Sequence, residues 1–437
     1  MERPLAPALA ARPRIVSLDQ FRGYTIAGMF VVNFIGGFTV SPFLLKHHNT
    51  FCSYADTIMP HFMFAVGFAF RLSFGRRTLE QGSHAAYGRV VRRLLGLVLI
   101  ALFIFEMDDR LLPTYWVDLV RRGAWNEVWR PFGKNWTQTL FQIAMATLWV
   151  VPVIRASSRV RVAYLIASAF LHIVINHAGY LEWLLAPESG HTGGPLGCVS
   201  WSVPALVGTL TCDAIADAVG KPRLGRLLLW AACLMGVGYL LSCGTRFYDV
   251  PAEQIASASA ADKQAVERNP LDAHPVIPSD LQVEAWYERF SQGNYTSLLA
   301  EPPFVGPPDV QHRRHNYWMM SVKSAALSFM LFNAGLSLFI YLLFYAACDI
   351  GNFELGMFRT FGRNALAGYL LQWPTDELFT KLVEAKSAEW GPALGYPADA
   401  VDRSAPALFV AVGFVLFFAL NWLILRIMEK YNVYLRV

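Results

Sequence analysis

Long apolar runs recur along the chain, and short polar segments rich in arginine and lysine separate them. The runs approach the ~20 residues that a helix needs to cross about 30 Å of hydrocarbon. A backbone inside lipid must satisfy its own hydrogen bonds, so each run predicts an α-helix. The pattern therefore predicts an all-α fold, a polytopic transmembrane helical bundle of about ten spans. The predicted spans cover residues 18–40, 55–75, 91–107, 136–154, 160–177, 197–219, 224–243, 317–347, 357–374 and 405–427.

One long polar segment interrupts this pattern. Residues 244–316 are rich in Pro, Ala, Asp and Glu, and a connection of that length is either a small folded lid or partly disordered. The chain is thus predicted to have four parts. These are a tail at 1–16, seven spans in 17–243 with a histidine-containing loop near 41–56, the insertion at 244–316, and three spans in 317–437.

The distribution of basic residues predicts how the spans are oriented. Arginine and lysine cluster after the second, fourth and sixth spans, and cytoplasmic loops carry such an excess. With ten spans, both termini are then cytoplasmic, and the histidine loop, the insertion and loop 375–404 lie outside. We therefore expect a multi-pass protein of a bacterial inner membrane, with an extracytoplasmic insertion.

Composition agrees with a membrane protein. Hydrophobic residues make up 55% of the chain, charged residues only 16%, and the mean hydropathy is +0.36. The net charge of +5 does not indicate a nucleic-acid partner, because the basic residues cluster in short loops, which is a topology signal. The six cysteines include no CxxC pair, so no metal site is predicted.

Polar residues at the first two spans suggest chemistry. His47 and His48 can accept a proton, donate one or attack an acyl group; the alternative is an interfacial pair that, with Lys46, contacts lipid headgroups. Asp56 opens the second span, either as a helix cap or as a carboxylate that orients an imidazole, and both roles are compatible. Asn33 is either a helix–helix contact or an oxyanion donor.

The inner end of the first span also carries polar residues. Ser17 and Gln20 match a capping box. Asp19 and Arg22 lie one turn apart, either as a local ion pair or with the arginine contacting the phosphate of a nucleotide-bearing donor. So many polar groups near spans favour a lined internal cavity over a plain anchor. The other polar residues within or next to predicted spans are His61, Arg71, Gln142, His172, Asn176, Asp213, Asp217, Lys323, Asn333 and Asn364.

Several of these segments resemble one known family. The stretch SLDQFRG at 17–23, VVNFIGG at 31–37 and the following histidine, aspartate and proline positions resemble the transmembrane acyltransferases of the heparan-α-glucosaminide N-acetyltransferase type. Later segments, YAACD at 345–349 and FGRNALAGYL at 361–370, are also similar. The resemblance implies transfer of an acetyl or other acyl group from cytoplasmic acyl-CoA to a hydroxyl or amine, of a sugar, on the outer side.

The same resemblance implies roles for individual residues. Either His47 or His48 takes the catalytic place, and Phe51, three residues after His48, favours His48 because the family has an aromatic residue there. Asp56 would orient the imidazole, and Asn33 would hold the acyl carbonyl. The residues expected to contact the acetyl-CoA donor are Arg22, Gln142 and Asn364.

The expected partners are an acyl-CoA, a sugar or glycan acceptor and membrane lipid, with a homodimer left open and no nucleic acid. A transporter of a small polar or glycan substrate, without covalent chemistry, is the alternative class. Transporters often show internal repeats and broken helices, and neither is evident in this sequence. CoA binding would distinguish the enzyme from the transporter.

Overall fold

The computed structural model describes residues 15–110, 138–185, 192–216, 222–250, 256–257, 274–307, 312–394 and 404–435, without the side chains of 103–110. Within these ranges no strand occurs, and one isolated bridge pairs Asp249 with Arg313. The all-α prediction is therefore confirmed. The helices of eight or more residues are α1 Val16–Gly36, α2 Tyr54–Gln81, α3 Ser83–Arg110, α4 Thr139–Val150, α5 Ser158–Ile175, α6 Cys198–Ala216, α7 Leu224–Ser242, α8 Asp280–Ser291, α9 Leu327–Phe344, α10 Gly356–Arg363, α11 Ala365–Trp390 and α12 Ala407–Lys430.

Six helical segments of the described residues are long and apolar enough to cross a membrane, which supports a multi-pass integral membrane protein. They are Tyr54–Gln81, Ser158–Leu185, Pro195–Ala216, Leu224–Tyr248, Leu327–Ile350 and Ala407–Lys430. The other predicted spans fall on helices that are shorter or more polar than these six segments. The predicted ninth span is broken at Asn364, between α10 and α11, where the backbone leaves helical geometry (φ −117°, ψ 39°).

The described residues form two compact units. The first contains 15–48, 53–65 and the described part of 339–435. In it α1 packs on α10, α11 and α12. A Cβ on Gly23 would overlap the backbone of Phe358, so α1 and α10 approach to backbone contact, as small residues allow in membrane helices.

The start of α1 is held by a carboxylate that is distant in sequence. The Asp349 side chain accepts the backbone N–H groups of Val16 and Ser17, both at 3.1 Å. The first N–H groups of a helix have no partner within the helix. The helix dipole also makes a negative charge favourable at this N-terminal end. Gln20 instead exchanges hydrogen bonds with the backbone of Leu355 at 3.2 Å. The predicted capping box of Ser17 and Gln20 is therefore wrong.

The second unit contains 49–52 and the described part of 66–338. In it α6 packs against α4 and α5, and α3 packs against α4. Asp213 accepts hydrogen bonds from two guanidinium groups, Arg71 Nε at 2.6 Å and the fully buried Arg161. Arg71 and Asp213, two of the residues expected to line an internal cavity, thus bind each other. Asp217 lies outside the described residues.

The described part of the insertion is folded within the second unit. Helix α8 begins with a capping box formed by Ser279 and Gln282. The Arg313 guanidinium binds Asp249 at 2.6 Å and Glu301 at 2.6 Å, and so links the two ends of the insertion. Ion pairs and a capped helix are features of a folded segment in the part of the insertion that the structure describes.

Candidate functional site

The candidate site lies in the first unit, in the loop that joins α1 to α2. The loop returns directly beside the end of α1, because Gly36 leaves no side chain between the helix and the Leu45 carbonyl. The Ser41 hydroxyl donates to the Ile35 carbonyl, and Lys46 Nζ donates to the Thr39 carbonyl at 3.1 Å. These contacts fix the backbone just before the two histidines.

Asp56 is positioned by the start of α2. Ser53 precedes the helix, and its N–H donates to Asp56 Oδ2 at 3.0 Å, while the Asp56 N–H donates to Ser53 Oγ at 3.4 Å. This reciprocal pair is a capping box with aspartate at its third helical position. Asp56 is only 1% exposed, and a buried carboxylate needs such hydrogen bonds. The N-cap position weighed for Asp56 is therefore taken by Ser53, and Asp56 supports the helix start from the third helical position.

The second oxygen of Asp56 binds an imidazole. His47 Nδ1 lies 2.8 Å from Asp56 Oδ1. A carboxylate only accepts hydrogen bonds, so Nδ1 carries the proton, and in the neutral ring Nε2 holds the lone pair. The His47 side chain is 57% exposed while that of Asp56 is buried. The buried carboxylate therefore fixes the ring through Nδ1, and the Nε2 edge of the ring is accessible.

His48 is held differently. Its ring Nε2 lies 2.8 Å from the Phe43 carbonyl, and its backbone N–H lies 3.5 Å from Asp56 Oδ2. Successive side chains of an extended segment point in opposite directions, so only one of the two rings can face Asp56. The family resemblance favoured His48 as the ring that Asp56 orients, whereas the structure pairs Asp56 with His47.

Arg22 and Asn33 lie on one face of α1. They are separated by about three helical turns, and Gly36 continues the same face to the histidine loop. Arg22 is 3.9 Å from Asp19, in the predicted local ion pair. Asn33 is half-buried, and no described residue hydrogen-bonds to its side chain. One helix face thus links the start of α1 to the loop of His47.

The two remaining candidate donor contacts bind backbone carbonyls. Gln142, in the second unit, is fully buried and donates to the Thr192 and Gly194 carbonyls at 3.1 and 2.6 Å. Asn364, in the first unit, is buried where α10 meets α11 and donates to the Val433 carbonyl at 3.2 Å. Their role in donor binding remains a prediction.

Ser53 was not among the residues predicted from the sequence, although a serine three residues before an aspartate at the start of an apolar run is a helix-start signal. Nor was the hydroxyl pair of Tyr24 and Tyr54, whose oxygens are 3.2 Å apart beside this helix start. His61 packs against the rings of Phe21 and Tyr24, with centroids 5.7 and 6.1 Å away. In the part of the chain that the structure describes, no group of three His, Cys, Asp or Glu residues could hold a metal.

One family model matches a large part of this chain. The family model described as heparan-alpha-glucosaminide N-acetyltransferase, catalytic, matches residues 14–240, which is just over half of the chain. The matched range includes both histidines of the loop and Asp56, whereas Asn364 lies beyond it. No curated protein matches the chain.

Proposed function

Because this chain belongs to the heparan-alpha-glucosaminide N-acetyltransferase catalytic family, we propose that it transfers an acetyl group from cytoplasmic acetyl-CoA to a sugar on the outer side of a bacterial inner membrane. The acceptor group is a hydroxyl or an amine, and both termini are cytoplasmic. Family membership and the apolar helices support the class of membrane acetyltransferase. The observation that carries our site assignment is the 2.8 Å contact between His47 Nδ1 and Asp56 Oδ1.

His47 supplies the reactive nitrogen in this proposal. Asp56 accepts a hydrogen bond from the Nδ1–H group of His47. The lone pair of the neutral ring is therefore at Nε2, on the exposed edge of the side chain. When Nε2 takes a proton or an acyl group the ring becomes positively charged, and the buried carboxylate stabilises that charge. The same logic makes a carboxylate–imidazole pair effective in unrelated hydrolases.

Two routes use this lone pair. In the first, Nε2 removes the acceptor's proton while the acceptor oxygen or nitrogen attacks the thioester carbon, the C–S bond breaks and CoA leaves as the thiolate. In the second, Nε2 itself attacks the thioester carbon and the CoA thiolate leaves. The acceptor then attacks the acetyl group, the C–N bond to His47 breaks, and the acceptor's proton passes to Nε2.

The α1 face supports roles for Arg22 and Asn33. A guanidinium near the start of the helix suits a phosphate group of the donor. A carboxamide about three turns further along suits the carbonyl oxygen of the acetyl group, because its N–H groups can bind developing negative charge. Gln142 and Asn364 stay candidate donor contacts, and we assign them no chemical step because their amides already bind backbone carbonyls.

Paired histidine variants test the proposal. The purified full chain is incubated with acetyl-CoA and an amino sugar, and the acetylated product is measured by mass spectrometry. We expect His47→Ala to abolish transfer and His48→Ala to retain most of it, with unchanged thermal stability of both variants showing that they fold. Full activity of His47→Ala would reject the assignment. A protein that binds no CoA but exchanges sugar across vesicles would instead be the alternative transporter.

A further inference from the structure

An apolar cavity of about 380 Å³ lies in the second unit, where α7 ends and the insertion begins. Its walls include Leu240, Leu241, Phe247, Trp286, Leu298 and Trp318. The volume falls in the range of ligand pockets, roughly 300–1,000 Å³. The cavity shares none of these residues with the histidine loop, so it is not part of the candidate functional site.

The wall chemistry selects a hydrocarbon over a sugar. Trp286 stacks on Phe247 with ring centroids 5.1 Å apart, so two of the lining residues are aromatic rings packed together. The Trp318 indole N–H donates a hydrogen bond to the Val276 carbonyl at 2.9 Å, and the Cys243 sulfur accepts one from the Ala300 N–H. A sugar needs several hydrogen-bonding partners in its site, whereas an alkyl chain needs only apolar surface.

The cavity lies at the end of a membrane-crossing helix. Leu240 and Leu241 are in the last turn of α7, inside the apolar segment Leu224–Tyr248. Leu240 is 66% exposed, so the cavity wall continues onto the outward surface of that helix. An exposed apolar surface on such a helix faces lipid, and hydrocarbon can therefore enter the cavity from the bilayer.

Helix α8 shows a second apolar surface beside the cavity. Val283, Tyr287 and Phe290 recur at the spacing of one helix face, and all three are exposed. The same helix contributes Trp286 to the cavity wall. Glu284 and Glu288 are exposed on another side of α8. The helix is therefore amphipathic, with aromatic and aliphatic residues on one side, as helices that lie in the membrane interface are.

From these two surfaces we propose that α8 lies on the membrane surface and that the cavity beside it binds the hydrocarbon chain of a membrane phospholipid. The proposal is independent of acetyl transfer, because it rests on the α7 end and the insertion alone. The insertion would thus bind lipid, and acetyl transfer at the histidine site does not depend on that binding.

Photo-crosslinking tests this inference. The full chain is reconstituted in vesicles that contain a phospholipid with a diazirine in its acyl chain, and crosslinked peptides are mapped by mass spectrometry. We expect crosslinks on peptides that contain Trp286 and Trp318, suppressed by excess unlabelled phospholipid. Leu241→Trp, which fills the cavity, should lower their yield several-fold, while crosslinks at the outward-facing Leu229 remain as the internal control.

Two outcomes would overturn the inference. Crosslinks at Leu229 without any at Trp286 or Trp318 would show that lipid chains do not enter the cavity. Unchanged crosslinking of Trp286 in Leu241→Trp would show that the label reaches it from elsewhere. A second filling variant, Leu298→Trp, is measured in parallel, so that misfolding of one variant does not decide the result.

Discussion

Asp56 binds the His47 ring with one carboxylate oxygen and the start of helix α2 with the other. Oδ1 is 2.8 Å from His47 Nδ1, and Oδ2 accepts the N–H and the hydroxyl of Ser53 at 3.0 and 2.9 Å. The direction of the imidazole is therefore set by the same interactions that begin the helix. A change at Asp56 should affect the orientation of the ring even when the ring itself is unchanged.

We predict that Asp56→Asn lowers kcat by on the order of 10²–10⁴-fold, the usual contribution of a positioned acid–base group. The amide nitrogen cannot accept the Ser53 N–H, and a neutral amide cannot stabilise a charged imidazole. The KM for acetyl-CoA should change little, because we assign donor binding to other residues. Initial rates at varied acetyl-CoA concentration measure both constants.

Glu377→Gln is the control for Asp56→Asn. It also removes one carboxylate from the first unit, but Glu377 is exposed and, among the residues that the structure describes, pairs only with Lys381 one turn away. Its kcat should match that of the wild type. A wild-type kcat in Asp56→Asn, with the product confirmed by mass spectrometry, would contradict the role that we give to the carboxylate.

Much of the fold was predictable from the sequence because lipid imposes one backbone solution on every apolar run. The first and last residues of the helices were harder to predict where tertiary contacts determine them. The predicted eighth span began at 317, but α9 begins at Leu327, because the Tyr317 N–H pairs with the Pro275 carbonyl outside any helix. The break at Asn364 likewise separates two helices inside one apolar run.

The candidate site shows the same limit. Ser17–Gln20 and Ser53–Asp56 both fit a helix-start pattern, yet only the second forms it. At the first, Asp349 takes the amides from 333 positions away, which no local pattern reveals. The two adjacent histidines were both visible as candidates, but the direction of each ring depends on the loop backbone and could not be predicted.

The Asp349 contact gives a stability prediction. Asp349→Ala leaves the Val16 and Ser17 N–H groups without their acceptor, and should cost about 0.5–2 kcal/mol, as the loss of a helix cap does. Ser17→Ala should cost less, because the Ser17 hydroxyl lies 3.2 Å from the Tyr341 hydroxyl and, within the described part of the chain, does not cap the helix. Thermal unfolding in detergent compares the two variants. A larger loss for Ser17→Ala would favour the capping box that the sequence suggested.

The Asp213 cluster gives a larger effect. Asp213→Asn leaves Arg71 and the fully buried Arg161 without their counter-charge, and an uncompensated buried charge costs about 3–5 kcal/mol. We expect a marked loss of thermal stability. Adding Arg161→Met to Asp213→Asn should recover part of it, because one buried charge is then gone. A double variant less stable than Asp213→Asn alone would show that the arginine stabilises the unit by other contacts.

Glu301 gives a pH dependence in the insertion. Burial raises the pKa of this carboxyl, but the hydrogen bonds and charge of Arg313, together with Arg246, outweigh burial, so its pKa lies below the ordinary value. A carboxyl with a lowered pKa adds stability above its unfolded pKa, near 4.3, and loses it as pH falls through the folded value. Glu301→Gln should therefore be less stable than the wild type at pH 7, by about 1–3 kcal/mol for a lost charged hydrogen bond. Thermal unfolding of both proteins between pH 7 and about pH 3 should show this difference shrinking as the acid protonates Glu301. A difference that is constant across that range would mean that the Arg313 contact contributes through packing and not through charge.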